Sequence, residues 1–247
     1  MDASIDARTT EALVLHRADG GPIATPFRRA RFGSNDPFAR VRDIAWQGRG
    51  DIAAGRASFI GELDVARYPH TETLVVVEGE LVLAAEGAAP LVLGPHAGAV
   101  IACGTGVRIE AASRVGFVWC AAAGGRSDRA GITPLYADAD FKPSAPPPAH
   151  TLLGPAPQCR SANVFDDEQA HYRAGTWDST GYHRIVRPHP VNEFMHLLAG
   201  SVRFECADGS VVTARAGDAL FIPQGERVGW ESSERVAKFY VVQTVPA

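Results

Sequence analysis

The sequence predicts an all-β protein made of two copies of one barrel-forming unit. Short apolar runs rich in Val, Ile, Leu and Phe are bounded by Gly, Asp-Gly and Pro-x-Gly turns, which is the pattern of strands in a sandwich or barrel. Helical periodicity is scarce. Landmarks also recur in both halves at matched spacing, as a tandem duplication requires.

Taken in order, residues 1–40 read as an N-terminal arm. It carries "FRRARFG", whose Arg28, Arg29 and Arg31 are expected on a solvated loop. Residues 41–125 read as the first barrel, with "ETLVVVEGELVLAAEG" as two strands joined at Glu78-Gly79. Residues 126–160 read as a linker, because prolines such as those of "FKPSAPPPAH" cannot donate to a ladder. Residues 161–247 read as the second barrel, with strands separated by turns at Gly200, Asp208-Gly209 and Gly217-Asp218. In Ile222-Pro223-Gln224-Gly225 the proline stands second and the glycine fourth, which predicts a type I turn.

Four spacings carry the duplication. Glu72 to Gly79 matches Glu193 to Gly200, and Gly98 to Gly106 matches Gly217 to Gly225. "VVVEGELVL" then lies under "HLLAGSVRF". The outward faces of these strands, "VVV" and "FMHLL", are expected to pack on each other or on a second chain.

Composition narrows the partners. Apolar residues make up 46% of 247, enough for large cores, and the net charge is −4 with no basic stripe, so a nucleic-acid partner is not expected. No run approaches the length of a membrane span, and no basic segment precedes an apolar one at the N-terminus. A cytoplasmic protein without a membrane partner is the expectation. Cys103, Cys120, Cys159 and Cys206 show no C-x-x-C spacing and read as free thiols, mostly buried.

The turn "AGDALFIPQG" together with the Glu-x6-Gly spacing resembles the cupin superfamily, whose motifs are G-x5-H-x-H-x3-E-x6-G and G-x5-P-x-G-x2-H-x3-N. The stretch "VNEFMHLLAGSV" is most similar to the ethanolamine-utilisation-type (cupin-3) branch, with a more distant likeness to the bicupin ureidoglycine aminohydrolases. The resemblance implies two tandem jelly-roll (double-stranded β-helix) barrels and a homodimer. It also implies a divalent metal on three histidines and one glutamate.

The ligand positions are largely replaced. In the second copy Arg187 stands at the first histidine, His189 at the second, Glu193 at the glutamate and Val228 at the third histidine. In the first copy Ala66, Tyr68 and Ile109 replace the histidines and only Glu72 remains, so that barrel is expected to be degenerate, with a Tyr68–Glu72 hydrogen bond. His183 shares strand parity with His189 but lies roughly 20 Å from it along an extended strand. His70 and His96 are expected on surface loops. Arg187, His189, Glu193 and Trp230 are therefore the candidate pocket, with Arg187–Glu193 as its ion pair and an incomplete His189–Glu193 site for a weakly held divalent metal.

Three functions remain open at this point. The first is binding of a small polar or anionic metabolite in the C-terminal barrel. The second is a metal-dependent hydrolase or isomerase using His189 and Glu193 as acid–base groups. The third is a structural or assembly role. Against ureidoglycine aminohydrolase activity, that family's second barrel carries Glu-x-His-x3-His and a glutamine, whereas this chain has Arg-x-His-x3-Glu.

Overall fold

The computed structural model describes residues 12–48, 52–123 and 130–244. Twenty strands and a single 3-10 turn, Ala149–Thr151, make up the regular structure of these residues. The predicted all-β class is therefore what folds, as two jelly-roll units packed face to face.

In the N-terminal unit one nine-stranded sheet wraps round itself. Ile52–Val65 and Val107–Ala123 are long enough to run through both halves of the barrel. A register shift between Phe59 and Gly61, the latter at φ 109°, lets Ile52–Val65 bend at the corner. In the C-terminal unit the matching strands are cut in two. Tyr172–Ser179 gives way to Tyr182–Pro188, and Arg227–Ser232 to Val236–Gln243, so the barrel has separate seven- and four-stranded sheets.

The duplication is tighter than the glycine landmarks suggest. Glu72 and Glu193 stand opposite Ile101 and Ile222. Turn bonds repeat at the same offset of 121 residues: His96 N–H donates to Val76 O where Gly217 N–H donates to Leu197 O. His96, at φ 65°, thus holds the place of Gly217 at φ 89°, and Gly104 the place of Gly225. The expected pairing of Gly98 with Gly217 and Gly106 with Gly225 is two residues out. The counterpart of Val228 becomes Val107 instead of Ile109. The turn at Pro223 is also shifted by one: Glu226 N–H donates to Pro223 O, and Gly225 at φ 92° is the third residue, a type II turn.

Three apolar clusters result. One fills the N-terminal barrel around Phe38, Leu74, Phe117 and Trp119, and one fills the C-terminal barrel around Met195, Leu197, Val228 and Trp230. The third joins them: Val75, Val100 and Val118 of one unit meet Phe194, Phe221 and Phe239 of the other. The "VVV" and "FMHLL" faces therefore bury each other within the chain. Across this seam the Tyr172 hydroxyl donates to Thr73 Oγ1 (2.8 Å) or Cys120 O (2.9 Å).

The arm and the linker are structural participants. Leu13–His16 pairs with Ala219–Ile222, so this stretch of the arm crosses to the far barrel and places Leu13 and Leu15 in the seam. Ile132–Leu135 adds an edge to the N-terminal barrel and Lys142–Ser144 an edge to the C-terminal one. The prolines of the linker do not forbid pairing: Pro134 and Pro143 sit in strands that end a sheet, where a missing N–H faces outward. The beginnings of both segments, residues 1–11 and 126–129, lie outside the described residues. Arg28 and Arg29 are exposed as expected, but as a two-residue edge strand. All four cysteines are free, with Cys103 half-buried and the others buried.

Candidate functional site

The two barrels solve the same problem in opposite ways. Each has a glutamate on the equivalent central strand with its side chain turned into the barrel, and a buried carboxylate needs a cation.

In the N-terminal barrel Arg42 supplies it. The guanidinium donates to Glu72 Oε1 (3.0 Å) and Oε2 (2.9 Å), and to both Asp36 oxygens at 2.8 Å. It lies 4.0 Å over the Trp119 ring and is wholly buried. The Tyr68 hydroxyl donates to Glu72 Oε2 at 2.8 Å, as expected, and His70 Nε2 meets the same oxygen at 2.8 Å. Burial alone would raise the Glu72 carboxyl; Arg42 and His70 override it and bring it down to about 2. His70 is thus a buried member of this network and not a surface residue. Arg42, Tyr68, His70 and Glu72 thus form one buried, mutually bonded network.

In the C-terminal barrel the cation is Lys238. Its ammonium donates to Glu193 Oε1 and His189 Nε2 meets Glu193 Oε2, both at 2.8 Å. Lys238 also reaches Met195 Sδ and lies 4.8 and 5.0 Å over the rings of Trp177 and Trp230. Burial would raise the Glu193 carboxyl, but Lys238 and His189 hold it well below the usual carboxylate range. The expected Arg187–Glu193 pair does not form, because the closer strand Val236–Gln243 delivers Lys238 first.

Lys238 is thinner than Arg42 and binds one carboxylate where Arg42 binds two, and the C-terminal barrel has an open cavity of about 360 Å³. Its walls are Arg184, Arg187, His189, Glu193, Trp177, Trp230, Tyr182, Tyr240 and Lys238, and Ser144–Pro147 of the linker crosses its rim. Trp230, as expected, forms part of the wall. It stacks flat on Tyr182 (5.4 Å, 8°) and its indole N–H is tied to Ser232 Oγ.

Arg184 and Arg187 give the cavity its charge. A register shift between them breaks strand alternation, so both side chains face inward although they stand three positions apart. Neither forms an ion pair among the described residues, and the Nε of each is buried without a hydrogen-bond partner. Arg184 makes only a long 3.4 Å bond to Val228 O, and burial with Arg187 nearby lowers its guanidinium. His183 turns out to solvent and lines a separate surface hollow, so its expected parity with His189 fails at the same shift.

The donor set does not fit a divalent ion. Both Glu193 oxygens are engaged, an ammonium stands at the carboxylate, and two guanidiniums line the same cavity. No cluster of three His, Cys, Asp or Glu suited to a metal occurs among the described residues. The expected weak metal site is a lysine site.

Sequence reasoning missed Lys238, Arg184 and Arg42. Lys238 was signalled as the one charge in "VAKFYVV", since a lysine in a buried strand must find a partner. Arg184 had no signal without the bulge. At the seam, His196 Nε2 meets His96 Nδ1 at 3.1 Å, and burial, then His96 and His16, bring the His196 ring down to about 3. His96 is exposed, as expected, but belongs to the contact between barrels.

Comparison with known proteins agrees with this architecture. The EutQ-like cupin domain family matches residues 167–240. A DUF861-family protein of unknown function from Pseudomonas syringae pv. tomato is 39% identical, with a TM-score of 0.91 over 94% of this chain and 99% of that one. Two others share the fold alone. A cupin 2 conserved barrel protein from Leptotrichia buccalis has a TM-score of 0.60 at 11% identity, over 83% and 88% of the two chains. Ylba of E. coli has a TM-score of 0.55 at 10% identity, over 99% and 97%. No curated protein is similar enough to match.

Proposed function

The chain belongs to the DUF861 family of EutQ-like cupins, and from that premise we propose that its C-terminal barrel binds a small anionic metabolite. One observation carries the proposal: Arg184 and Arg187 face an open cavity with buried, unpartnered Nε donors and no carboxylate of their own. Leaving two guanidiniums with buried, unpartnered Nε atoms and no counter-charge is costly, so a ligand carboxylate or phosphate is the natural counter-charge, and Arg can clamp either bidentately. The cavity volume is within the range of metabolite sites. Lys238, already neutralised by Glu193, sets the floor of the pocket and holds His189 and Glu193 in place.

The test is calorimetric titration of small mono- and dicarboxylates and phosphate esters into the wild type and Arg187→Ala. At least one should bind the wild type and lose ten-fold or more in the variant. Uniformly weak binding, unchanged in Arg187→Ala, would end the proposal.

A second reading has one observation behind it. His189 is anchored through Nε2 to Glu193, while Nδ1 is left without a partner, which is how a carboxylate orients a general acid or base. On that reading His189→Asn abolishes turnover of the bound anion but leaves its affinity. A purely structural role suits a cavity lined only by apolar groups, whereas Arg184, Arg187, His189 and Glu193 line this one. The homodimer implied by the resemblance draws no support from the faces that bury each other inside the chain. Four free cysteines favour a reducing compartment, and no helix among the described residues is long and apolar enough to cross a membrane; we place the protein in the cytoplasm on the first ground.

A further inference from the structure

The charges of the C-terminal cavity can be counted. Lys238 and Glu193 cancel at 2.8 Å. Arg173, at the rim, is turned to Asp166 at 2.9 Å. Arg184 and Arg187 are left, two guanidiniums without counter-charge in one cavity. A ligand with a single negative charge would satisfy one and leave the other repelled and unpaired, whereas two charges close the account.

Spacing adds a second constraint. Three residues of strand set the two Cα atoms at most roughly 10 Å apart. Their long side chains can therefore grip two ends of a short molecule, or converge on one doubly charged group. The same cavity is walled by Trp177 and Trp230, which favour an uncharged part of the ligand.

We propose that the ligand is a small dianion, either a short dicarboxylate or a phosphate monoester, held between Arg184 and Arg187 with its neutral part against the tryptophans. The proposal rests on the anion-binding reading and sharpens it.

Titration calorimetry at low ionic strength tests it with four probes: succinate, its monoamide succinamate, phenyl phosphate and benzoate. Arg184 is buried, so the deciding comparison is between ligands on the wild-type chain, where folding is not at issue. Succinate binding at least ten-fold more tightly than succinamate, or phenyl phosphate at least ten-fold more tightly than benzoate, is expected. The preferred member of these pairs also tells the dicarboxylate from the phosphate. In Arg187→Met the preference should fall to near parity. Equal binding of the charged and half-charged partners in both pairs would overturn the two-charge inference while leaving an anion pocket. A preference that survives Arg187→Met would place the charges elsewhere and overturn it too. No binding by any probe would overturn both this inference and the function it rests on.

Discussion

Replacing Lys238 by methionine should expose how the C-terminal barrel tolerates its glutamate. The Lys238 and Glu193 side chains are only 7% and 13% exposed and meet at 2.8 Å. Removing one partner of a buried pair costs about 3–5 kcal/mol. His189 still bonds Glu193, so the lower end, about 3 kcal/mol, is expected. For a chain of this size that is a fall in Tm of roughly 6–12 °C at pH 7. The pH dependence has a definite sign. In the native protein the Glu193 carboxyl lies below its ordinary 4.5, so its contribution is present above that pH and is lost only as pH falls through the depressed value. In Lys238→Met burial is no longer opposed by the ammonium and raises the carboxyl, which then disfavours folding until it is protonated. The gap between wild type and variant should therefore begin to narrow above pH 4.5, as pH falls through the variant's raised carboxyl value, and go on narrowing below 4.5 as the wild type loses its own contribution. Adding Glu193→Gln to the variant should recover most of the loss at pH 7. Calorimetric melts across pH 4–8 read all three effects. A loss under about 2 °C, or a double variant no better than the single, would refute the account of Lys238 as the barrel's internal cation.

Three other outcomes follow from the same contacts. Tyr172→Phe removes a hydroxyl that joins the barrels at Thr73 and Cys120, and should cost about 1–3 kcal/mol in urea unfolding. Gly200→Ala should be far worse than Gly87→Ala although both glycines have positive φ: a Cβ at Gly200 would meet Arg235 O at 2.3 Å, whereas at Gly87 nothing lies within 4 Å. The Gly87 variant should lose about 1–2 kcal/mol and the Gly200 variant should fail to accumulate as folded protein. Treatment with EDTA should leave both Tm and anion affinity unchanged; a loss restored by a divalent ion would contradict the lysine site.

The fold was legible because β-strands write themselves as short apolar runs, and turn glycines such as Gly79, Gly200, Gly209 and Gly225 stand where φ is positive. The duplication was legible from Glu72/Gly79 and Glu193/Gly200, whose spacing the barrel preserves. It blurred where a residue other than glycine took the left-handed turn position: His96 does so opposite Gly217, and a search for glycines slid to Gly98. The site was half legible. His189, Glu193, Arg187 and Trp230 all border one cavity, since strand alternation carries them there. The register shift between Arg184 and Arg187 breaks that alternation, so parity selected His183 and passed over Arg184. Partner choice was the least legible. Glu193 has Lys238 from the neighbouring strand and Glu72 has Arg42 from thirty residues upstream, and only the strand order tells which cation arrives.

The most direct test of the anion pocket is an anomalous difference map from crystals soaked in selenate, a dianion whose selenium locates itself. The account predicts a peak within hydrogen-bond reach of Arg184 and Arg187, with Lys238 still on Glu193. Selenate bound elsewhere while the cavity holds only water, or a metal peak between His189 and Glu193, would contradict it.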